Sequence, residues 1–463
     1  MPVDMGGINA GIRFHRKIRL NAAKQSVTHQ RRQERDRRRA QARLRVFPRD
    51  RKICQTAARF RKIGAVQDGI VKGTEATMIL IVGAGIAGPA LGIALRRAGI
   101  DTVIYEASDR PRDDAGAFLN LAPNGLSVLR ELGLGRRVDG LGFQNDRLVF
   151  HNETGRMLAD VAVGGNTLMR GALSRALREA AEEVGVRFEF GKALSSVTVR
   201  DGGVEARFAD GTSAHGSSLV GADGIHSRTR YTCFPDAPKP SFTDIINLGG
   251  VVHTTLPETG TAMHMIFGRR SFFGYAVRPG GETYWFSNFA QKEEPRGTLE
   301  RFGVDRVRRD LLHLHRDDPP EVTQILQAIT GNVGAWPVYD IPSLPVWHRG
   351  AVCLLGDAAH AIGPHVGQGA SLALEDAFVL AKCMRDIPDA PRAFATFEHL
   401  RRDRVEPVVK QSRRTGRQKA PTGWIGRKMR DLILPTFLKS SAQAAQELYG
   451  FALDWNERIA YEA

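Results

Sequence analysis

The sequence predicts an α/β protein: a parallel sheet with alternating strands and helices, a second sheet of antiparallel strands, and helices toward the C-terminus. Three observations carry this. From Met78 a short apolar strand, a glycine-rich turn and an amphipathic helix follow one another. After residue 350 a second buried strand ends at Gly356 and Asp357 and leads through a loop into another helix. Between them, from Ser241 to about Pro345, aromatic-rich segments alternate apolar and polar residues with the period of two typical of antiparallel strands.

The first element is "MILIV", an apolar run rich in β-branched residues, as expected of a strand buried on both faces. "GAGIAG" follows, then "PALGIALRRAG", with Leu91, Leu95 and Ala98 at helical spacing and Gly99 as the stop. "TVIYE" is the next strand. The turn Gly83, Gly85, Ile86, Ala87, Gly88 has G-x-G-x-x-G spacing between a strand and a helix, and Glu106 stands at the tip of the second strand. In this context Gly83 permits a tight turn, Gly85 allows the backbone to approach a pyrophosphate, and Gly88 allows close helix–strand packing. The helix N-terminus offers N–H groups to phosphates. Glu106 would accept hydrogen bonds from a ribose and repel a ribose 2′-phosphate. A Rossmann-type unit that takes FAD or NAD is therefore predicted, and NADP is disfavoured at this site.

The second strand–turn–helix decides between the two. In "AVCLLGDAAHAIGPHVGQGASLALEDA", Asp357 at a strand tip suits ribityl hydroxyls. Gly367, Gln368, Gly369, Ala370 and Ser371 supply backbone N–H groups at a helix start, aimed where a reduced isoalloxazine carries negative charge. Two phosphate-type turns with one G-x-G-x-x-G imply one long cofactor held at both ends, which is FAD.

These motifs, with "GADGIHSRTR" around Asp223 and Gly224, resemble those of the single-component FAD-dependent aromatic hydroxylases, the para-hydroxybenzoate hydroxylase family, in its salicylate-, urate- and tetracycline-hydroxylating branch. The resemblance covers Met78 to about Arg404. It implies that Arg170 contacts FAD at the start of a helix whose Leu173, Leu177, Ala180 and Val184 face the core. It also implies that Asp223 sits near the pyrophosphate and helps the reductant engage. Many members carry asparagine where this chain has Ser371, whose hydroxyl and backbone can still serve the ring edge. The activity implied is a monooxygenase in which NAD(P)H, a transient reductant, reduces the flavin, O2 adds at carbon 4a, and the resulting hydroperoxide hydroxylates a small aromatic or polycyclic substrate.

The resemblance and the strand pattern divide the chain into a basic leader (1–77), a discontinuous FAD-binding domain (78–240 and 346–412), a β-sheet substrate domain (241–345) and a C-terminal helical segment (413–463). "RDGG" and "ADGT" separate the middle strands after "VRFEF" and mark an antiparallel meander inserted in the cofactor domain. Phe272, Phe273, Tyr275, Trp285 and Phe286 are pocket candidates, with Phe273, Tyr275 and Trp285 preferred, although aromatic residues on alternating strands are more often plain core. Period two places Phe273 and Tyr275 on one face and Phe272 on the other. Pro364 and His365, in the loop before the flavin-facing helix, are further substrate-site candidates. His365 is either an acid–base group or a surface or capping histidine. No catalytic residue is assigned. Pro435 breaks the last apolar run, so no membrane span is expected there.

The formal charge of +16 points to a polyanion partner until its location is considered. Residues 1–77 carry 20 of the 66 basic and 6 of the 50 acidic residues, so the remainder is almost neutral. The leader reads as a transit peptide, as a tail for phosphate polymers or anionic lipid, or as an over-extended start, since Met78 stands directly before the first strand. No specific nucleic-acid partner is expected. Cys54, Cys233, Cys353 and Cys383 lie far apart, without a C-x-x-C pair, which argues against disulfides, a redox dithiol or a metal site. The absence of an apolar N-terminal core suggests a cytoplasmic protein. Halogenases are disfavoured because "WPVYDIP" does not match their W-x-W-x-I-P element. A reductase of the same fold and a basic-tailed flavin-binding protein without turnover remain as rival readings, and the oligomeric state is open.

Overall fold

The structure is a computed structural model that describes residues 78–113, 117–200, 202–293, 303–331, 333–418 and 423–460. The leader, with Cys54, lies outside the described residues. Ile79–Val82 is the centre of a six-stranded sheet whose order is His348–Arg349, Val352–Leu354, Ser218–Gly221, Ile79–Val82, Thr102–Tyr105, Arg187–Glu189. All its pairings are parallel except that of the edge strand His348–Arg349. The continuous apolar run of the central strand is explained by its position, since all four residues are buried, with the Ala87–Arg97 helix on one face and the strand Ser213–Gly216 against Leu80 on the other. The Ala87–Arg97 helix packs against the Gly369–Asp386 helix, so both strand–turn–helix motifs meet at one end of the sheet.

The strands Leu194–Arg200, Gly203–Phe208 and Ser213–Gly216 form the antiparallel meander expected from its Asp-Gly turns. The flanking "RFE" and "SLVG" segments instead join the parallel sheet. In the Arg170–Glu183 helix, Leu173, Leu177 and Ala180 are buried as expected. Val184 is 44% exposed, because it is the C-cap and the chain there leaves the helical face.

The second sheet has seven strands in the order Gly334–Asp340, Ser241–His253, Glu282–Ala290, Phe272–Val277, Ala262–Phe267, Arg147–Asn152, Met157–Ala162. Its last two strands come from the stretch assigned to the cofactor domain. Arg147–Asn152 pairs in parallel with Ala262–Phe267, so the sequence boundary at residue 240 does not separate the sheets. Leu148, Phe150 and Val161 of that hairpin extend the apolar face of the sheet, a packing demand that local sequence does not reveal. The boundary at residue 412 also disappears, because one helix runs from Ala390 to Gln418 through Pro407. The Trp424–Tyr449 helix likewise continues through Pro435, where the sequence suggested a break.

One face of the seven-stranded sheet is covered by the Val304–Leu314 and Pro320–Gln327 helices, whose Leu311, Val322, Ile325 and Leu326 pack against it. A sealed polar string anchors these helices: His315 lies 2.8 Å from Ser287 Oγ through Nε2 and 2.7 Å from Asp318 through Nδ1. Both the His315 and Asp318 side chains have no solvent exposure, and Ser287 is equally buried. No substrate can reach this Ser–His–Asp string, so it is a structural anchor. No helix among the described residues is long and apolar enough to cross a membrane.

Candidate flavin and substrate cleft

The glycine turn is built by backbone constraints. Gly83 has φ 110°, and a Cβ there would collide with the carbonyl of Ala222, the residue just after the neighbouring strand. Gly88 packs against the Gly83 carbonyl, where any side chain would clash, so it draws the helix onto the turn and faces away from the cleft. Gly85 is different: a Cβ there meets nothing within 4 Å and would project into open space. Ser174 Oγ donates to the Gly85 carbonyl at 3.2 Å and fixes the turn from the Arg170–Glu183 helix. Glu106 closes the arrangement, accepting from Ala84 N and Ser108 N, each at 2.9 Å.

These segments line a cleft of 1910 Å³, together with Ile86, Ala87, Arg170, Asp223, Gly224, Asp357, Pro364, His365, Gly367, Gly369 and Ala370. Asp223 accepts from Ser227 Oγ at 2.5 Å and from Thr229 N at 2.9 Å. Burial pushes its carboxyl up, and these hydrogen bonds only partly offset that. Gly367 adopts the left-handed conformation with φ 63° and turns the chain into the helix that starts at Gly369. The N–H groups of that helix's first turn lack intrahelical acceptors.

Gln368 and Ser371 do not line the cleft. Both are fully buried beneath the helix start: Gln368 accepts from Asn124 Nδ2 at 2.9 Å, and Ser371 Oγ accepts from Ala122 N at 3.2 Å. The hydroxyl expected at the ring edge is therefore spent on joining the Pro123–Glu131 helix to the Gly369–Asp386 helix. His365 packs its ring against Gly416 of the Ala390–Gln418 helix, where an added Cβ would come within 2.7 Å of the ring.

Phe273, Tyr275 and Trp285 lie on the opposite face of the seven-stranded sheet from the cleft, in the cluster under the Val304–Leu314 and Pro320–Gln327 helices. These three of the five aromatic candidates therefore do not reach the cleft. Period two is obeyed, but the covering helices occupy the face that holds these rings. The face toward the cleft carries Phe272, Phe286, Met263, Met265, Leu148 and Phe150. Its polar members, Asn247 and Asn288, were not singled out in the sequence. The signal that could have found this face lies at residues 304–327, whose apolar helical spacing demands one face of the sheet as partner. On the fourth side Met429, Arg430, Ile433, Leu434 and Phe437 of the Trp424–Tyr449 helix close over the cleft.

The cleft suits FAD on its own chemistry. The bare Gly85 backbone faces open space into which any side chain would project, a carboxylate stands at the adjoining strand tip, and a helix N-terminus opens on the far end. A family described as an FAD binding domain matches residues 76–412. The chain belongs to that family. A 3-amino-4-hydroxybenzoate 2-monooxygenase of Streptomyces cremeus is 31% identical over 352 residues, covering 73% of this chain and 86% of that protein. An FAD-dependent urate hydroxylase of Klebsiella pneumoniae is 29% identical, covering 72% and 88%. The crystal structure of Klebsiella pneumoniae HpxO complexed with FAD and uric acid superposes with a TM-score of 0.71 at 24% identity, over 81% of this chain and 96% of that one, and so shows the shared fold. The chain is an FAD flavoprotein monooxygenase. Among its described residues no group of three His, Cys, Asp or Glu side chains could hold a metal ion.

Proposed function

We propose that the protein hydroxylates a small aromatic or polycyclic substrate with O2, using NAD(P)H as a transient reductant. The observation that carries this reading is the continuity of the cleft: one cavity runs from the Gly83–Gly88 turn and Glu106 to the apolar sheet face around Phe272 and Phe286. FAD, when bound, supplies the redox and oxygen chemistry that no side chain here provides. The chain contributes the remaining functions.

In this reading the Gly85 backbone and Arg170 receive the pyrophosphate end, and Glu106 receives the adenosine ribose. Asp223, Gly224 and Asp357 line the middle of the cofactor. The N–H groups at Gly369 and Ala370 stabilise negative charge on the ring without needing to reorganise. Phe272, Phe286 and the methionines exclude water and hold a flat substrate against the ring. The sequence has no second G-x-G-x-x-G for a resident nicotinamide nucleotide, which supports a reductant that enters the same cleft and leaves.

The test is turnover of the purified holoenzyme under isotopically heavy oxygen gas, with NADH or NADPH and a panel of aromatic compounds. Substrate-stimulated reductant oxidation with one labelled oxygen in the product is expected. Reductant oxidation coupled to saturation of a substrate double bond, without label, would instead establish a reductase.

A further inference from the structure

We infer that the substrate is an uncharged fused-ring aromatic whose edge carries a hydrogen-bond donor and acceptor side by side, as a lactam does, and not a single ring bearing a carboxylate. The inference rests on the monooxygenase reading of the cleft and narrows its substrate.

The first observation concerns charge. Of the residues that strand pairing places with Phe272 and Phe286 on that side of the sheet, those that line the cleft include no charged side chain, from Val161 at one edge to Trp336 at the other, and Glu282 at the far end of its strand stays outside it. Arg430 reaches the cleft from the Trp424–Tyr449 helix but its guanidinium is already engaged, 2.9 Å from Glu153, 2.7 Å from Asp431 and 5.1 Å over the Phe267 ring. The other arginines and lysines described along the cleft, among them Arg170 and Lys192, belong to the nucleotide-binding segments. Glu293, which also lines the cleft, is itself an anion and accepts from Tyr339 Oη at 2.5 Å. A substrate carboxylate would lose its hydration against this wall without gaining a cation.

The second observation is a matched amide pair. Asn247 and Asn288 stand directly opposite on adjacent strands, and Asn288 Nδ2 donates to Asn247 Oδ1 at 2.9 Å. Both line the cleft. Their mutual bond leaves the Asn247 amide N–H and the Asn288 carbonyl oxygen as an adjacent donor and acceptor. Reversing both amide groups gives the same pair of functions, so the conclusion does not depend on which end is oxygen. A ligand edge with one acceptor and one donor satisfies both groups, whereas an apolar edge displaces water and leaves both unpaired.

The third observation is extent. The apolar wall runs across five strands, from Phe150 through Met265, Phe272 and Phe286 to the strand of Asn247. At about 4.8 Å per strand step this is roughly 19 Å, several times the width of one aromatic ring.

The experiment is titration of the holoprotein with quinolin-2-one, naphthalene, 2-naphthoate and benzoate, followed by the visible flavin spectrum. Quinolin-2-one should bind about tenfold or more tightly than naphthalene, and both should bind more tightly than either carboxylate. Asn247→Leu with Asn288→Leu should abolish the lactam preference and leave naphthalene affinity within about twofold. Asn247→Asp, which keeps the shape and removes the free donor, should do the same if the double variant does not retain FAD. Tighter binding of a carboxylate, a lactam preference that survives in these variants, or no spectral change with any two-ring compound would overturn the inference. Failure of the monooxygenase reading is a separate result: bound aromatics of any kind would yield no labelled product.

Discussion

Asp376 and Arg401 form an ion pair sealed from solvent, with Arg401 Nε 2.7 Å from Asp376 Oδ1 and neither side chain more than 1% exposed. The other carboxylate oxygen accepts from Gly356 N at 2.9 Å and faces His360 Nε2 at 2.5 Å. One buried side chain thus fixes the Gly356–Asp357 turn to two long helices. Burial alone would push the Asp376 carboxyl up, but His360 and Arg401 hold it at about 2.

Asp376→Asn should therefore destabilise the protein by about 2–4 kcal/mol, because it removes one of the two buried carboxylates that hold Arg401, leaving only Glu375 at 2.7 Å, and weakens the bond to His360. It should also loosen FAD retention through the Gly356 turn. The folded carboxyl titrates below its unfolded value of about 3.9, so its stabilisation is complete above pH ~4 and is lost as pH falls toward 2. Urea unfolding across that range should show a steep fall for the wild type and a shallower one for the variant.

The two glycines of the first turn should separate folding from cofactor binding. Gly85→Val points its side chain into open space, so the protein should fold with near-normal thermal stability as apoprotein and purify without FAD. Gly83→Ala forces a side chain onto a backbone at φ 110° and against Ala222, so it should lose about 1–3 kcal/mol or more whether or not FAD is present. The ratio of flavin to protein absorbance, with a melting curve for each apoprotein, checks both.

The cofactor end of the cleft was legible because its chemistry is local: Gly83, Gly85 and Glu106 lie within one β–turn–α–β unit, and the glycines and the acid are required by that turn itself. The substrate wall was not. Alternation along Phe272–Val277 divides the side chains into two sets, and only the distant helices at residues 304–327 determine which set faces the cleft. For the same reason the sequence did not show that the Arg147–Ala162 hairpin joins the second sheet, a pairing that spans more than a hundred residues. Ser371 was placed at the right helix end but on the wrong side of it, because one residue of helix is about a 100° rotation.

The cysteines should differ sharply in reactivity. Cys353 and Cys383 are fully buried, and burial pushes the Cys383 thiol up to about 12 and that of Cys353 well above its ordinary value. Cys233 is half-buried. A thiol-alkylating reagent at neutral pH should modify Cys233 in the native holoprotein well before Cys353 or Cys383, and all three at similar rates after denaturation. Peptide mass mapping over time would show this order.

Phe273 and Phe286 occupy adjacent strands but opposite faces of one sheet, and their replacement should have opposite consequences. Phe273 is fully buried and stacks with Trp285 at 5.9 Å, so Phe273→Ala opens a cavity under the covering helices. It should cost about 3–5 kcal/mol of stability while leaving the affinity for a two-ring ligand within about twofold. Phe286 instead lines the cleft, its ring seated over Gly274, where any side chain would collide with it. Phe286→Ala removes part of the wall a flat ligand lies against, so it should raise the ligand's dissociation constant about tenfold and cost less stability than Phe273→Ala. Melting curves and flavin-monitored titrations on the two variants, each shown to hold stoichiometric FAD, give the comparison. If Phe273→Ala weakens ligand binding and Phe286→Ala does not, the substrate lies on the other face of the sheet, and the assignment of the cleft wall is wrong.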